Sequence, residues 1–556
     1  MRKILFVAFI LANTSFFAQE TEEKGSFFGG FESNSQWLQI DDELFKYDPE
    51  ATFLPEDRFR SNNYFQLNYN YGKFTAGVQY EAYLPSALLG FSPDFDGNNG
   101  IATYYLNFKN ENLDITGGYF YEQFGSGLIL RSWEDRQLGI NNALRGVRVN
   151  FSLFPYLSVT GVFGQQRNGF ELSEGTVSGL DANFDIGSAA QLGSVDLRLG
   201  LSYVSRYQDR GTNLEIPSNV GAYGGRLDWV VGNFYGGFEG IVKDKDVIAR
   251  EGNLISNRLY DGTALQVNLG YSQKGFGINT TFRRLENFSF YSDRLAEGNQ
   301  FSQQIINYVP ALTKQQDYLL TNIYVYGAQP GIVDDGLEER VGEVGMQTDV
   351  YFTFPKESML GKYGTKVAAN FSYWGGLEAT FNEDRSYDVE FIGKGNNYFR
   401  DINFEIKNRW SSSFSSVITY QNVLADKGVV LSGPLGGPED IEANVGIVEG
   451  TFKFDGGRAL RIAGQHLWTQ KDRKNWAGAD VEYNFNSNFS LYVVDAWNYG
   501  GEGELHYYNL GGSYTKGRTR LGMNYGRQRG GLLCVGGVCR IVPASTGLNV
   551  NLSVNF

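Results

Sequence analysis

The last residues of the chain, Gly547 to Phe556, read G-L-N-V-N-L-S-V-N-F. Leu548, Val550, Leu552, Val554 and Phe556 alternate with Asn549, Asn551, Ser553 and Asn555, so the two sets fall on opposite faces of a strand. In a soluble sheet the apolar face would meet a core. In a transmembrane barrel it meets lipid, and the Asn/Ser face meets a wet lumen. An ordinary amphipathic strand reads the same way alone, so the rest of the chain must decide.

Near-alternating segments recur along the whole sequence, and the gaps between them alternate long and short. Phe27 to Asn34 opens the series, followed by an acidic gap to Arg60. Tyr64 to Tyr71 and Phe74 to Ala82 flank a Gly72-Lys73 turn, and Ala102 to Phe108 and Leu113 to Tyr121 flank Asn-Glu-Asn. The rhythm continues to the final strand, broken by one exceptional gap from Leu285 to about Gly342. Short turns on one side and long loops on the other are the mark of an outer-membrane barrel, with the short turns periplasmic. The expected fold is all-β: a closed antiparallel transmembrane β-barrel of about 24 strands, give or take two. An even number keeps both ends in the periplasm.

The N-terminus has Arg2 and Lys3, an apolar run from Ile4 to Ala12, then small or polar residues leading to Ala18 and Gln19. Residues 1–19 are therefore expected to be a secretory signal peptide, and 20–556 a single barrel domain. No later run supplies an apolar membrane helix. With 70 glycines, 35 tyrosines and 42 phenylalanines among 556 residues, the composition suits crowded strands, turns and interfacial girdles. A net charge of -14 excludes a nucleic-acid binder, which needs a basic footprint. On this reading there is no N-terminal plug and no further domain after Phe556. The acidic run Asp41, Asp42, Glu43, Asp48, Glu50, Glu56, Asp57 reads as a solvated surface, or as a place where divalent cations bridge other surface molecules.

The text from Gly125 to Val149, G-S-G-L-I-L-R-S-W-E-D-R-Q-L-G-I-N-N-A-L-R-G-V-R-V, together with Y-V-P-A-L-T-K in the long gap, resembles an uncharacterised family of large outer-membrane barrels of the Bacteroidota. The resemblance implies a barrel in the outer membrane of a Gram-negative bacterium. It implies no activity.

Several residues stand out as candidates. Cys534 and Cys539, in C-V-G-G-V-C, are the only cysteines, and in an exported chain they are expected to form a disulfide across a loop tip. Phe556, with Val554, Leu552 and Gly547, is the expected insertion signal read by the barrel-assembly machinery. By parity with Val147, Val149 and Phe151 facing lipid, Arg148 points inward. The same logic turns Arg198, Arg226, Arg283, Arg461 and Arg520 into the lumen, since a charge on the lipid face costs roughly 2–4 kcal/mol at the midplane. These charges either pair and fill space or line a solute path. Arg131, Trp133, Glu134, Asp135 and Arg136 lie on a loop that either narrows the lumen or orders itself outside. The two histidines, His466 and His506, lack a recognisable partner motif, so no enzyme, cofactor or metal is expected.

Two functions follow from such a barrel. One is a loop-occluded, porin-like channel for hydrophilic solutes. The other is a non-transporting platform that holds protein partners in an outer-membrane assembly. A lumen this wide needs a filling, and the gap from Leu285 to Gly342 is rich in apolar residues for a free loop, Phe288, Phe290, Ile306, Leu320, Tyr324 and Tyr326 among them. Part of it is expected to fold over or into the lumen and pack near the Trp133 loop; the rival is an outward docking surface.

Overall fold

The computed structural model describes residues 24–48, 58–89, 95, 97–211, 215–250, 253–296, 304–334, 339–358, 361–430 and 439–556. The expected signal peptide over residues 1–19, the acids Glu50, Glu56 and Asp57, and the Pro/Gly-rich gap at 433–438 lie outside them. Twenty-four antiparallel strands form one sheet, from Ser26–Gln39 to Ser545–Asn555. The sheet closes on itself where Gly30 to Gln39 pair with Asn555 to Thr546. Closure is what lipid demands, because a sheet edge in hydrocarbon would leave its N–H and C=O groups without partners.

Sequence periodicity and structure meet along each strand. In Leu144–Phe154, Val147 and Phe151 are exposed on the outer face and Arg148 is partly covered on the inner one. Val147 pairs across to Phe163, and Gly161 in turn to Leu180, so the outer face continues laterally as an apolar band. Exposed Leu201, Phe238, Leu269, Phe404, Val448, Val493 and Leu510 carry it around the barrel. A ring of bare apolar side chains on a closed sheet is a lipid-facing surface. The inner-leaflet turns are tight. Gly72, Gly232 and Gly517 occupy the first central position of two-residue connections with φ of 55, 60 and 59°, a left-handed conformation that glycine adopts without a Cβ clash.

Many strands outrun their alternating stretches. Tyr387–Arg409 and Asn253–Gln273 extend beyond the segments around Ile402–Ile406 and Thr263–Tyr271, because outside the lipid the outer face no longer has to be apolar. The acidic run after the first strand departs from the solvated reading. Asp41 accepts from the Leu44 amide at the start of the helix Asp42–Tyr47 and bonds the Arg527 guanidinium at 2.8 and 2.9 Å. Asp48 is buried, 3.2 Å from Arg473, and accepts from Tyr507 at 2.8 Å. These two carboxylates hold the loop to the rim rather than repel it.

Candidate functional site: an occluded lumen

Among the described residues, three of the chain's own loops meet inside the lumen and occlude it. The largest is the strap from Asn287 to Val341, between the strands Phe276–Glu286 and Gly342–Phe354. At its root, Phe288 and Phe290 are buried against inward Val162, Val177, Val204 and Val220 on the wall. Further along, Leu320, Ile323, Tyr324 and Tyr326 pack against Ile441, Ala443, Val445, Leu467 and Trp476 on the opposite side. These inner-face residues are apolar because a protein segment, not water, covers them. The apolar character of the gap thus reports where it goes: into the barrel.

Polar clamps fix the strap. Arg283 and Glu343, both fully buried, pair at 2.8 Å. Arg283 also donates to the Pro310 carbonyl at 2.7 Å, and Glu343 accepts from the Tyr326 hydroxyl and from the Gln329 amide at 2.6 Å. Trp374 donates to the Leu312 carbonyl at 2.9 Å, with the Arg283 guanidinium over its ring. At the outer edge Tyr324 donates to Asp472 at 3.1 Å. Burial and that carboxylate push its phenol well above the ordinary range.

The second loop carries the residues around Trp133. Arg131 donates its amide to the Ile306 carbonyl, Tyr308 donates its own to Gly127, and the Arg131 guanidinium lies 3.9 Å from the Tyr308 ring centre. Trp133 meets Tyr308 edge-on at 5.5 Å. Glu134 pairs with Arg136 at 3.0 Å, and Arg136 also reaches Glu32 on the first strand. Asp135 accepts from the Gln137 and Leu138 amides and so closes a turn.

The third loop is the hairpin Gly531–Val535 and Val538–Val542, which contains the Cys534–Cys539 disulfide. Gly537 accepts from the Ala311 amide and Gly536 from the Tyr308 hydroxyl. Val538 packs with Leu138 and Ile140, near Trp133. A sequence reading that places the cysteines at a loop tip misses this third part of the plug. Its signal was the run Leu532, Leu533, Val535, Val538, Ile541, Val542, too apolar for an exposed turn.

The remaining inward arginines are distributed around the wall. Arg148 pairs with Glu122 and lies 3.4 Å from Asp114. Arg226 bonds Asp181 at 2.8 and 3.0 Å rather than its near neighbour Asp228, because cross-strand carboxylates lie opposite its fork. Arg198 pairs with Asp196 at 2.8 Å, Arg461 with Glu449 at 2.8 Å, and Arg520 lies opposite Ser553 near the periplasmic end. Arg198, Arg226, Asp181, Asp228 and Glu239 border a polar cavity of about 450 Å³ beside the second loop. Strand parity does not reveal the fully buried pair Arg167–Glu81, 2.5 Å apart, since its partners come from strands distant in sequence. Both histidines share the outer face with exposed apolar neighbours, Ile462 and Leu510. There His466 bonds Tyr499 at 2.9 Å and His506 bonds Asp495 at 2.7 Å. At the chain end, Phe556 exchanges backbone hydrogen bonds with Gly29 and stacks near Phe65.

A closed, apolar-banded antiparallel barrel whose first strand starts and last strand ends at the short-turn side is an outer-membrane β-barrel protein. The chain belongs to a family of unknown function (DUF6029), matched over residues 1–556. No curated protein matches it. Solved structures similar to it include the translocation pore of the P pilus usher PapC, with 8% identity over 95% of this chain and 99% of that one, at a TM-score of 0.40. Also similar are OpdK of Pseudomonas aeruginosa with vanillate (13% identity, 80% and 99% coverage, TM-score 0.36) and the siderophore receptor PirA of the same organism (7%, 96% and 81%, 0.40).

Proposed function

We propose that the protein is an outer-membrane channel for hydrophilic solutes, held shut by its own loops. The observation that carries this is the division of the inner wall. Against the strap and its companions the inner face carries apolar clusters fixed by a few polar clamps; toward the short turns it is a hydrogen-bonded polar belt. Asp349 accepts from Asn370, Asn107 donates to Asp114, and Asn549 donates to Asn524. A barrel serving only as an anchor has no use for a wide polar lumen. Polar walls beside a removable filling fit a conducting path.

The strap is pinned by hydrogen bonds and ion pairs at its edges as well as by apolar contacts, so opening means exchanging those clamps. Purified full-length protein in planar bilayers is expected to remain closed at low voltage and to show discrete openings as the voltage rises. Silence at every voltage, from protein that co-purifies with a stable partner, would replace the channel with the platform.

A further inference from the structure

A cavity of about 230 Å³ lies within the plug, between the strap, the barrel wall and the residues leading into the third loop. Its wall includes Asp401 and Gln421, which are 1% and 3% exposed. The two Asp401 oxygens accept from Asn403 at 3.2 Å and from the Gln421 amide nitrogen at 3.1 Å. Both partners are neutral amides, and among the described residues no cation is paired with this carboxylate. Buried charges in proteins are otherwise paired, because leaving one alone in a low-dielectric interior is costly.

The carboxylate also fixes its neighbour. Gln421 must turn its NH2 toward Asp401, so its oxygen faces away, and that oxygen is buried with no partner. Gln316 on the strap borders the same cavity and likewise has an unpartnered buried side-chain oxygen. The cavity is therefore bordered by a carboxylate that no cation pairs with and by two side chains whose amide oxygens accept from no donor. Lys314 and Asp317 also border it, but both are exposed, opposite in charge and screened by solvent. Arg529 donates to the Asn322 carbonyl. Tyr324, Tyr326 and Phe399 supply aromatic surface, which attracts cations further.

The geometry points to a binding site for a compact organic cation, an ammonium or guanidinium solute, held at Asp401 with Gln421 and Gln316 inside the plug. A water occupies about 30 Å³ in the liquid, so the space holds a solute of several heavy atoms. A planar guanidinium matches a carboxylate flanked by further acceptors. A metal ion fits less well, since among the described residues no cluster of metal-ligating side chains exists. The site deepens the channel reading, on which it rests for access, by naming the class of solute that would meet the plug.

The test is calorimetry on the full-length protein in detergent, with n-propylguanidinium and its uncharged isostere n-propylurea as probes. The native protein is expected to bind the cation at least tenfold more tightly than the urea. Asp401→Asn is expected to abolish that preference while leaving the thermal midpoint of the barrel unchanged. Should that variant fail to fold, Gln421→Met is expected to weaken the cation several-fold and leave the urea unaffected. Equal binding of the two probes, binding of neither, a preference that survives in Asp401→Asn, or one undiminished in Gln421→Met would overturn the site. Failure of the channel reading looks different: binding with the predicted preference but no conductance retains the site and removes the channel.

Discussion

At the scale of residues, the plug is held by charges that would be a liability anywhere else. Arg283 and Glu343 are both out of water, so each depends on the other and on the strap groups around them. Removing one partner of such a pair costs roughly 3–5 kcal/mol, whereas replacing both with apolar residues of similar volume is often neutral. Glu343→Gln is therefore expected to loosen the strap, and limited proteolysis should cut it between Asn287 and Val341. The double variant Arg283→Met, Glu343→Leu should resist better than the single one. Equal resistance of native protein and Glu343→Gln would show that the clamp is not what fixes the strap. Asp41 offers a pH test. Burial pushes its carboxyl up, but hydrogen bonds from Arg527, Thr546 and the Leu44 amide outweigh burial and hold it below the ordinary value of 3.8. A carboxyl with a lowered folded pKa contributes stability above its unfolded pKa and loses it as the pH falls through the folded one. Hydrogen-exchange protection of the Leu44 amide should be constant near neutrality and fall once the pH drops below about 4, near the ordinary carboxyl pKa. Protection unchanged well below that would contradict the cap.

At the scale of elements, the strands were legible and much of the plug was not. Alternation works because lipid and lumen sort side chains with period two, so Val147, Arg148 and Val149 declare their faces one by one. It also marks the exception, since a long gap crowded with Phe288, Phe290, Leu320 and Tyr326 cannot be a solvated loop. What stayed hidden depends on pairs remote in sequence. Asp401 and Gln421 come from adjacent strands, Arg167 and Glu81 from strands far apart, and no local pattern links them. The hairpin around Cys534 looked like a clasp because six residues from one cysteine to the other close only a short loop, worth about 2 kcal/mol in chain entropy. Cys534→Ser should therefore leave the barrel folded, as read by its heat-dependent gel migration, while exposing the backbone at Gly536 and Gly537 to exchange. Collapse of folding would mean that the clasp supports the whole barrel. The last strand carries a separate expectation. Deleting Phe556 should leave the protein in the periplasm or degraded, whereas normal outer-membrane yield would show that its aromatic ring is not the insertion signal.

At the scale of the molecule, a sheet of 24 strands encloses more space than side chains alone can fill. The structure answers with three loops that meet at Tyr308: the strap that carries it, the second loop through Arg131 and Trp133, and the hairpin through Gly536. Because the plug is built from loops between strands, it can shift without the barrel opening a seam. The occluded channel stands or falls on whether those loops seal a path. The decisive measurement replaces Phe301 to Tyr326 with a short Gly-Ser linker and records single-channel conductance, with uptake of a bulky antibiotic by cells carrying the variant. A large, steady conductance and increased uptake are predicted for the folded variant against the native protein. Unchanged permeability in a variant shown to be folded would contradict the occluded channel.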